Sequence, residues 1–161
     1  MPTRTTALVL ALLALAAGCV SDPPSQRDVA RDEAGRVVDG GEVGSQKVRV
    51  GDCFGAVDSA RLESVDVVRC EEPHVYEAFY DFDVDGDDHP GHEAIEILAE
   101  QRCLGAFEPY VGLAYAGSVY AISYFWPTEE TWDGLDDRRV LCLLVRVDEQ
   151  PVSGSAAGSA E

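Results

Sequence analysis

Between residues 47 and 147 the apolar positions fall into short phased runs. Lys47-Val48-Arg49-Val50 alternates and predicts a short strand. Ser64–Arg69, SVDVVR, predicts a second. His74–Val84, HVYEAFYDFDV, alternates over a longer span. Tyr76, Ala78, Tyr80 and Phe82 share one face, and Val75, Glu77, Phe79, Asp81 and Asp83 the other. The face with Tyr80 and Phe82 is expected inward. A turn follows over Gly86–Gly91, then a helix from about Pro90 toward Phe107. Glu93 and Glu96 suit its N-terminal turns, where the helix dipole favours negative charge. Ile95, Leu98, Ala99, Cys103 and Ala106 recur at helical spacing, which turns Cys103 toward the core. Gly105 and Pro109 leave the end of this helix open.

Val119–Trp126, VYAISYFW, predicts a strand stopped by Pro127, and Thr128 is placed to cap a short turn through Glu130. The stretch DGLDDRR at 133–139 reads as an exposed turn. Val140–Val147, VLCLLVRV, is almost wholly apolar, as a central strand covered on both faces would be. The order is strand, strand, strand, helix, strand, strand. It predicts an α+β fold, a small antiparallel sheet with one main helix packed on it.

The flanks lack such phasing. Residues 19–46 are rich in Asp, Arg, Gly, Ser and Pro and predict a disordered tether. PVSGSAAGSAE, within residues 150–161, predicts a flexible tail. The domain is thus expected over 47–149.

The N-terminal segment has another pattern. Met1–Thr6 is polar with one charge, Arg4; Ala7–Ala17 is an unbroken apolar run; Gly18-Cys19 closes it. The run is much shorter than the roughly 20 apolar residues a spanning helix needs. It reads as a secretory signal over residues 1–18. Leu15-Ala16-Ala17-Gly18-Cys19 resembles the bacterial lipoprotein signal, with Ala16 where Leu is commonest. That resemblance implies acylation of Cys19, palmitate included, and a chain held on the extracytoplasmic face of the cell membrane. Secretion with Cys19 unmodified is the alternative.

Charge narrows the partners. The formal net charge is −18, and residues 47–149 carry 23 acids against 8 bases. Such a surface repels nucleic acid, whose binding is driven by Lys and Arg neutralising phosphates. The charge reads first as a solvated surface, and a preference for cationic partners or divalent ions is the sharper alternative.

Export also sets the redox state of Cys53, Cys70, Cys103 and Cys142. Outside the cytoplasm an even count favours disulfides. Three pairings are possible. Cys53–Cys70 would join the ends of two strands, and Cys103–Cys142 would staple the inner helix face to the central strand; these two are preferred. Zinc is the rival ligand set, but the chain has no Cys-x-x-Cys pair.

VGDCF at 50–54, VVRCEEPHVYEAF at 67–79, RCLGAFEPYVG at 102–112 and YFWPTEETWDGLDDRRVLCLL at 124–144 together resemble the septum-formation domain family. The resemblance implies an extracytoplasmic domain, typical of Gram-positive bacteria with GC-rich genomes. It supplies no catalytic mechanism, and all four cysteines match. The family core CxxPHxxE stands here as Cys70, Pro73, His74 and Glu77.

Four residues are candidates for binding: His74 and Glu77 in that core, and Trp126 and Trp132 in an aromatic-rich stretch of the anchor type used at interfaces. DFDVDGDDHPGHE at 81–93 nearly spells a calcium loop, but its twelfth position is His92 rather than Glu. No nucleophile motif, P-loop or dinucleotide fingerprint occurs, and HEAIE at 92–96 lacks the second His of a zincin. The expected function is a lipid-anchored, non-catalytic binding module of the cell envelope without a cofactor. It would meet an envelope protein or a wall component, and the resemblance links it to septum formation. An enzyme acting on wall material through acidic residues, or a divalent-metal accessory lipoprotein, is the alternative.

Overall fold

A computed structural model describes residues 29–57 and 63–161. The signal segment, Cys19 and the start of the tether lie outside the described residues. In chain order the strands are β1 (Ala30–Arg31), β2 (Val37–Asp39), β3 (Gly41–Gly44), β4 (Cys53–Phe54), β5 (Ser64–Val68) and β6 (Tyr76–Asp83). Helix α1 (His92–Val111), β7 (Tyr120–Phe125), α2 (Glu129–Leu135) and β8 (Arg139–Arg146) complete the domain. Six strands form one antiparallel sheet in the order β3-β5-β4-β6-β8-β7, and β1 and β2 pair separately. The α+β class expected from the sequence is the observed one.

Strand β8 carries the core on both faces. Val140, Cys142 and Leu144 join the cluster under α1, and Leu141 and Leu143 join a second cluster on the opposite face. Helix α1 meets the first with a column at every fourth residue: Ile95, Ala99, Cys103, Phe107 and Val111. Pro109 is accommodated in the last turn, and Gly112 closes the helix in the left-handed region (φ 85°).

Strand β6 departs from plain alternation. Ala78 lies opposite Leu143 and Tyr80 opposite Cys142, so Phe79 is an extra residue in the ladder. This bulge turns both Phe79 and Phe82 to the helix side and Ala78 to the other. The expected inward facing of Tyr80 and Phe82 holds; Phe79, expected on the opposite face, joins them, and Ala78, expected beside them, does not.

Three boundaries are corrected. Residues 47–50 are not a strand: Ser45–Lys47 is a 3-10 turn, after which Val48 plugs the second cluster. Residues 29–46, expected as tether, form β1–β3 and lay Val29, Val37 and Val43 over that cluster. Strand elements this short leave no readable period. The expected flexible tail is docked: His74 and Val152 exchange both backbone hydrogen bonds at 2.9 Å, and Ala156 is buried. Its small residues let the backbone approach closely enough to bond.

The expected capping role of Thr128 is met, on a longer element than foreseen. Thr131 N–H donates to Thr128 Oγ1 at 3.1 Å and Thr128 N–H to Thr131 Oγ1 at 2.9 Å, opening α2. Helix α2 therefore takes in the first three residues, 133–135, of the stretch expected as an exposed turn.

The preferred disulfides are present. Cys53–Cys70 has a Cα separation of 5.2 Å, and Cys103–Cys142 one of 5.6 Å.

Candidate functional site

The motif residues His74 and Glu77 come together under the C-terminal strap. Glu77 is inward on β6 and 3% exposed, an acid where an apolar residue would ordinarily pack. It is satisfied by three donors: Tyr110 Oη–H at 2.8 Å and Ser155 Oγ–H at 2.5 Å on Oε1, and Ala156 N–H at 2.7 Å on Oε2. Burial, then the nearby Glu77 charge and the hydrogen bond to it, push the Tyr110 hydroxyl well above its ordinary titration range. Further along, Gly158 N–H donates to the Tyr110 carbonyl and Ala160 N–H to that of Val111.

His74 is 1% exposed. Its Nδ1 donates to the Glu72 carbonyl at 2.9 Å, and its buried Nε2 meets no hydrogen-bond partner among the described residues. These residues hold the strap down; neither presents a face to solvent. Glu77 lies with the sulfurs of Cys53 and Cys70 at metal-like spacing, but those sulfurs are bonded to each other and offer no thiolate.

The near-calcium loop is not formed. Asp81 and Asp83 are in the β6 ladder, and Asp81 accepts from Arg139 Nε at 2.8 Å. A calcium loop needs its first acids to curl around one ion, and a strand spreads them along its axis. The following turn is bolted to α2: Trp132 Nε1–H donates to the Asp87 carbonyl at 3.0 Å. The His89 ring meets Trp132 edge-on at 5.3 Å, and the Arg138 guanidinium lies 3.8 Å over the Trp132 ring. Trp132, expected at an interface, is therefore core, 1% exposed.

Trp126 behaves differently. It is 38% exposed and leans on His92 and Tyr124, with ring centroids at 4.9 and 5.4 Å. It stands on the rim of a cleft of about 460 Å³ between the 45–46 turn, the end of β7, α2 and β8. Phe125, Leu135 and Leu141 supply apolar wall; Glu63, Glu130 and Asp137 supply carboxyl groups. Among the described residues the one lining base, Arg139, is already engaged. Its Nη1 and Nη2 donate to the carbonyls of Gln46 and Val48 at 3.2 and 2.7 Å, and its Nε to Asp81. Leu135 is 64% exposed, a lone apolar side chain within an acidic run. That isolation was the sequence signal for the cleft, and reading 133–139 as a turn concealed it.

The family model for septum formation matches residues 50–161. This chain belongs to the septum-formation family. Two uncharacterized membrane proteins of Mycobacterium tuberculosis, one from strain CDC 1551 / Oshkosh and one from strain ATCC 25618 / H37Rv, are each 29% identical to it. Each match covers 61% of this chain and 24% of the relative, so the chain spans about a quarter of their length. No solved structure matches it. The matched region of this septum-formation domain includes the strap, in keeping with the bonds that tie residues 152–160 to Cys70, His74, Glu77, Tyr110 and Val111. Among the described residues, no helix is long and apolar enough to cross a membrane.

Proposed function

We propose that this protein is a non-catalytic binding module of the cell envelope, lipid-anchored through Cys19 on the extracytoplasmic face and linked to septum formation. Family membership and its mycobacterial relatives, named as membrane proteins, support the location. Two disulfides suit an oxidising compartment.

The cleft at Trp126 carries the binding reading. Exposed Trp and Leu beside the carboxyl groups of Glu63, Glu130 and Asp137 form an amphipathic, cation-seeking surface. The non-catalytic reading has support in the same place. Thr128 and Thr131 are tied into their capping box, Arg139 already donates from each of its three nitrogens, and neither His nor Cys is among the described lining residues.

In-cell photocrosslinking tests it. A photoreactive side chain at Leu135 is expected to trap a discrete envelope partner that Trp126→Ala abolishes. The same group at Leu104, on the outer face of α1, is expected to trap none. Equal labelling from both positions, or none from Leu135, overturns the cleft. Cys19→Ala is expected to release the chain from the membrane fraction, and retention there overturns the anchor.

A further inference from the structure

The two edges of the sheet are treated differently. At one end β3 is four residues long, GEVG, with a charge and two glycines, the kind of short and broken strand that discourages pairing. At the other end β7 is six residues of YAISYF, with no charge, no proline and no bulge in its register against β8. Among the described residues no strand lies on its outer side.

The parity of its backbone groups follows from one bond. Val147 N–H donates to the Val119 carbonyl at 2.9 Å, so Val119, Ala121, Ser123 and Phe125 turn their N–H and C=O toward β8. Those of Ile122 and Tyr124 point outward. Tyr120 N–H, of the same parity, takes the Ser118 hydroxyl at 3.1 Å. An unprotected edge of this length is a template for another strand.

Charge selects the occupant. Beside the edge, Glu96 and Glu100 are close enough to the Tyr124 hydroxyl to add their charge to the effect of burial in raising its titration. Where β7 ends, Phe125 and Trp126 run into the cleft with Glu130 and Asp137. A second copy of the chain would bring these acids against each other, with −18 on each partner. A basic segment would be drawn in.

We propose that β7 and the cleft at its C-terminal end form one docking track for an extended, Lys- or Arg-bearing segment of another protein, which adds to the six-stranded sheet at this edge. The proposal rests on the binding-module reading and names its partner class.

The probe is a fluorescent octapeptide of alternating Lys and Val. Controls are the Glu/Val peptide and a Lys/Val peptide N-methylated on every backbone amide, which keeps the charge but cannot donate to a ladder from either edge. Saturable binding is expected for the first peptide alone, with the Ile122 and Tyr124 amides becoming protected from hydrogen exchange. Ile122→Pro, which removes an outward donor, is expected to weaken binding by up to about tenfold, the worth of one net hydrogen bond. Should that variant misfold, the N-methylated peptide on the unaltered chain decides the same point. Equal binding of the methylated peptide, or of the Glu/Val peptide, overturns the proposal. So does protection of these amides on concentrating the protein alone, which would assign the edge to a second copy. Capture at Leu135 in cells without amide protection by the peptide removes the track and leaves the binding module. Protection without capture in cells does the reverse.

Discussion

Ala156 N–H donates to Glu77 Oε2 at 2.7 Å, across 79 residues of sequence, and this bond ties the C-terminal strap to the strand that carries the family motif. Ser155 Oγ–H and Tyr110 Oη–H complete the carboxyl group's partners, so one buried acid gathers three segments. Glu77→Ala leaves those donors without an acceptor. Its expected cost is about 2–4 kcal/mol, from the loss of hydrogen bonds to a charged group and the desolvation of donors left behind. Urea unfolding with disulfides intact measures it. Faster amide exchange at Ala156 and Gly158 in the variant would locate the loss in the strap; unchanged exchange there would show that the strap stands without Glu77.

The disulfides are expected to reduce in order. Cys103 and Cys142 are both fully buried between α1 and β8, whereas Cys70 is partly accessible at the head of the motif. Attack by a thiolate requires access to a sulfur. Mild reductant under native conditions should open Cys53–Cys70 alone, and Cys103–Cys142 only as the domain unfolds. Alkylation and peptide mapping over time read the order. On the chain-entropy model the two closures, separated by 17 and 39 residues, are worth about 3 and about 4 kcal/mol.

Alkaline pH is expected to loosen the strap. The Tyr110 titration is raised in the fold above the ordinary 10.0 by burial, by the Glu77 charge and by the bond to it. The unfolded chain therefore loses this proton near pH 10 while the folded chain keeps it. The stabilisation is complete below pH 10 and declines as pH rises beyond that. Tyr110→Phe should lower stability at neutral pH and flatten part of the alkaline decline. Tyr120 and Tyr124, also raised by burial, keep the rest. Melting temperature between pH 8 and pH 12, read on both proteins, checks it; parallel curves would remove Tyr110 from the account.

Much of the fold was legible because side-chain volume marks it. The column through Ile95, Ala99 and Cys103 and the apolar run of β8 identified the helix, the central strand and the disulfide between them. The bulge at Phe79 was not legible, because no glycine or other local signal announces the extra residue. The strap was missed for a different reason. Its buried side chain is one methyl, Ala156, and its hold is backbone hydrogen bonding, to which composition is blind. Trp126 and Trp132 looked equivalent along the chain. Only the packing of Trp132 against Asp87, His89 and Arg138 separates the core indole from the one at the cleft. One clue to the N-terminal cover went unused. A strand apolar on both faces needs something over Leu141 and Leu143, and residues 29–48 are what the chain supplies.

That cover makes the domain larger than its family match. The match begins at residue 50, yet Val29, Val37, Val43 and Val48 pack on the second cluster. The cover is also fastened by charge. Arg31 donates to Asp52 from both terminal nitrogens, at 2.5 and 2.7 Å, and Asp52 is 1% exposed. Arg49 N–H shares Asp52 Oδ2 at 2.8 Å. Removing one partner of a buried pair leaves an uncompensated charge, at a cost of about 3–5 kcal/mol. Arg31→Ala is expected in that range. Arg31→Met combined with Asp52→Asn should recover part of the loss, since no bare charge then remains. A fragment of residues 50–161 should fare worse than Arg31→Ala, because Val67, Leu141 and Leu143 would face water. Dye binding to exposed apolar surface and a lowered unfolding midpoint, relative to residues 29–161, are the expected readings. A fragment 50–161 as stable as 29–161 would show that the cover is dispensable and that the second cluster closes by itself.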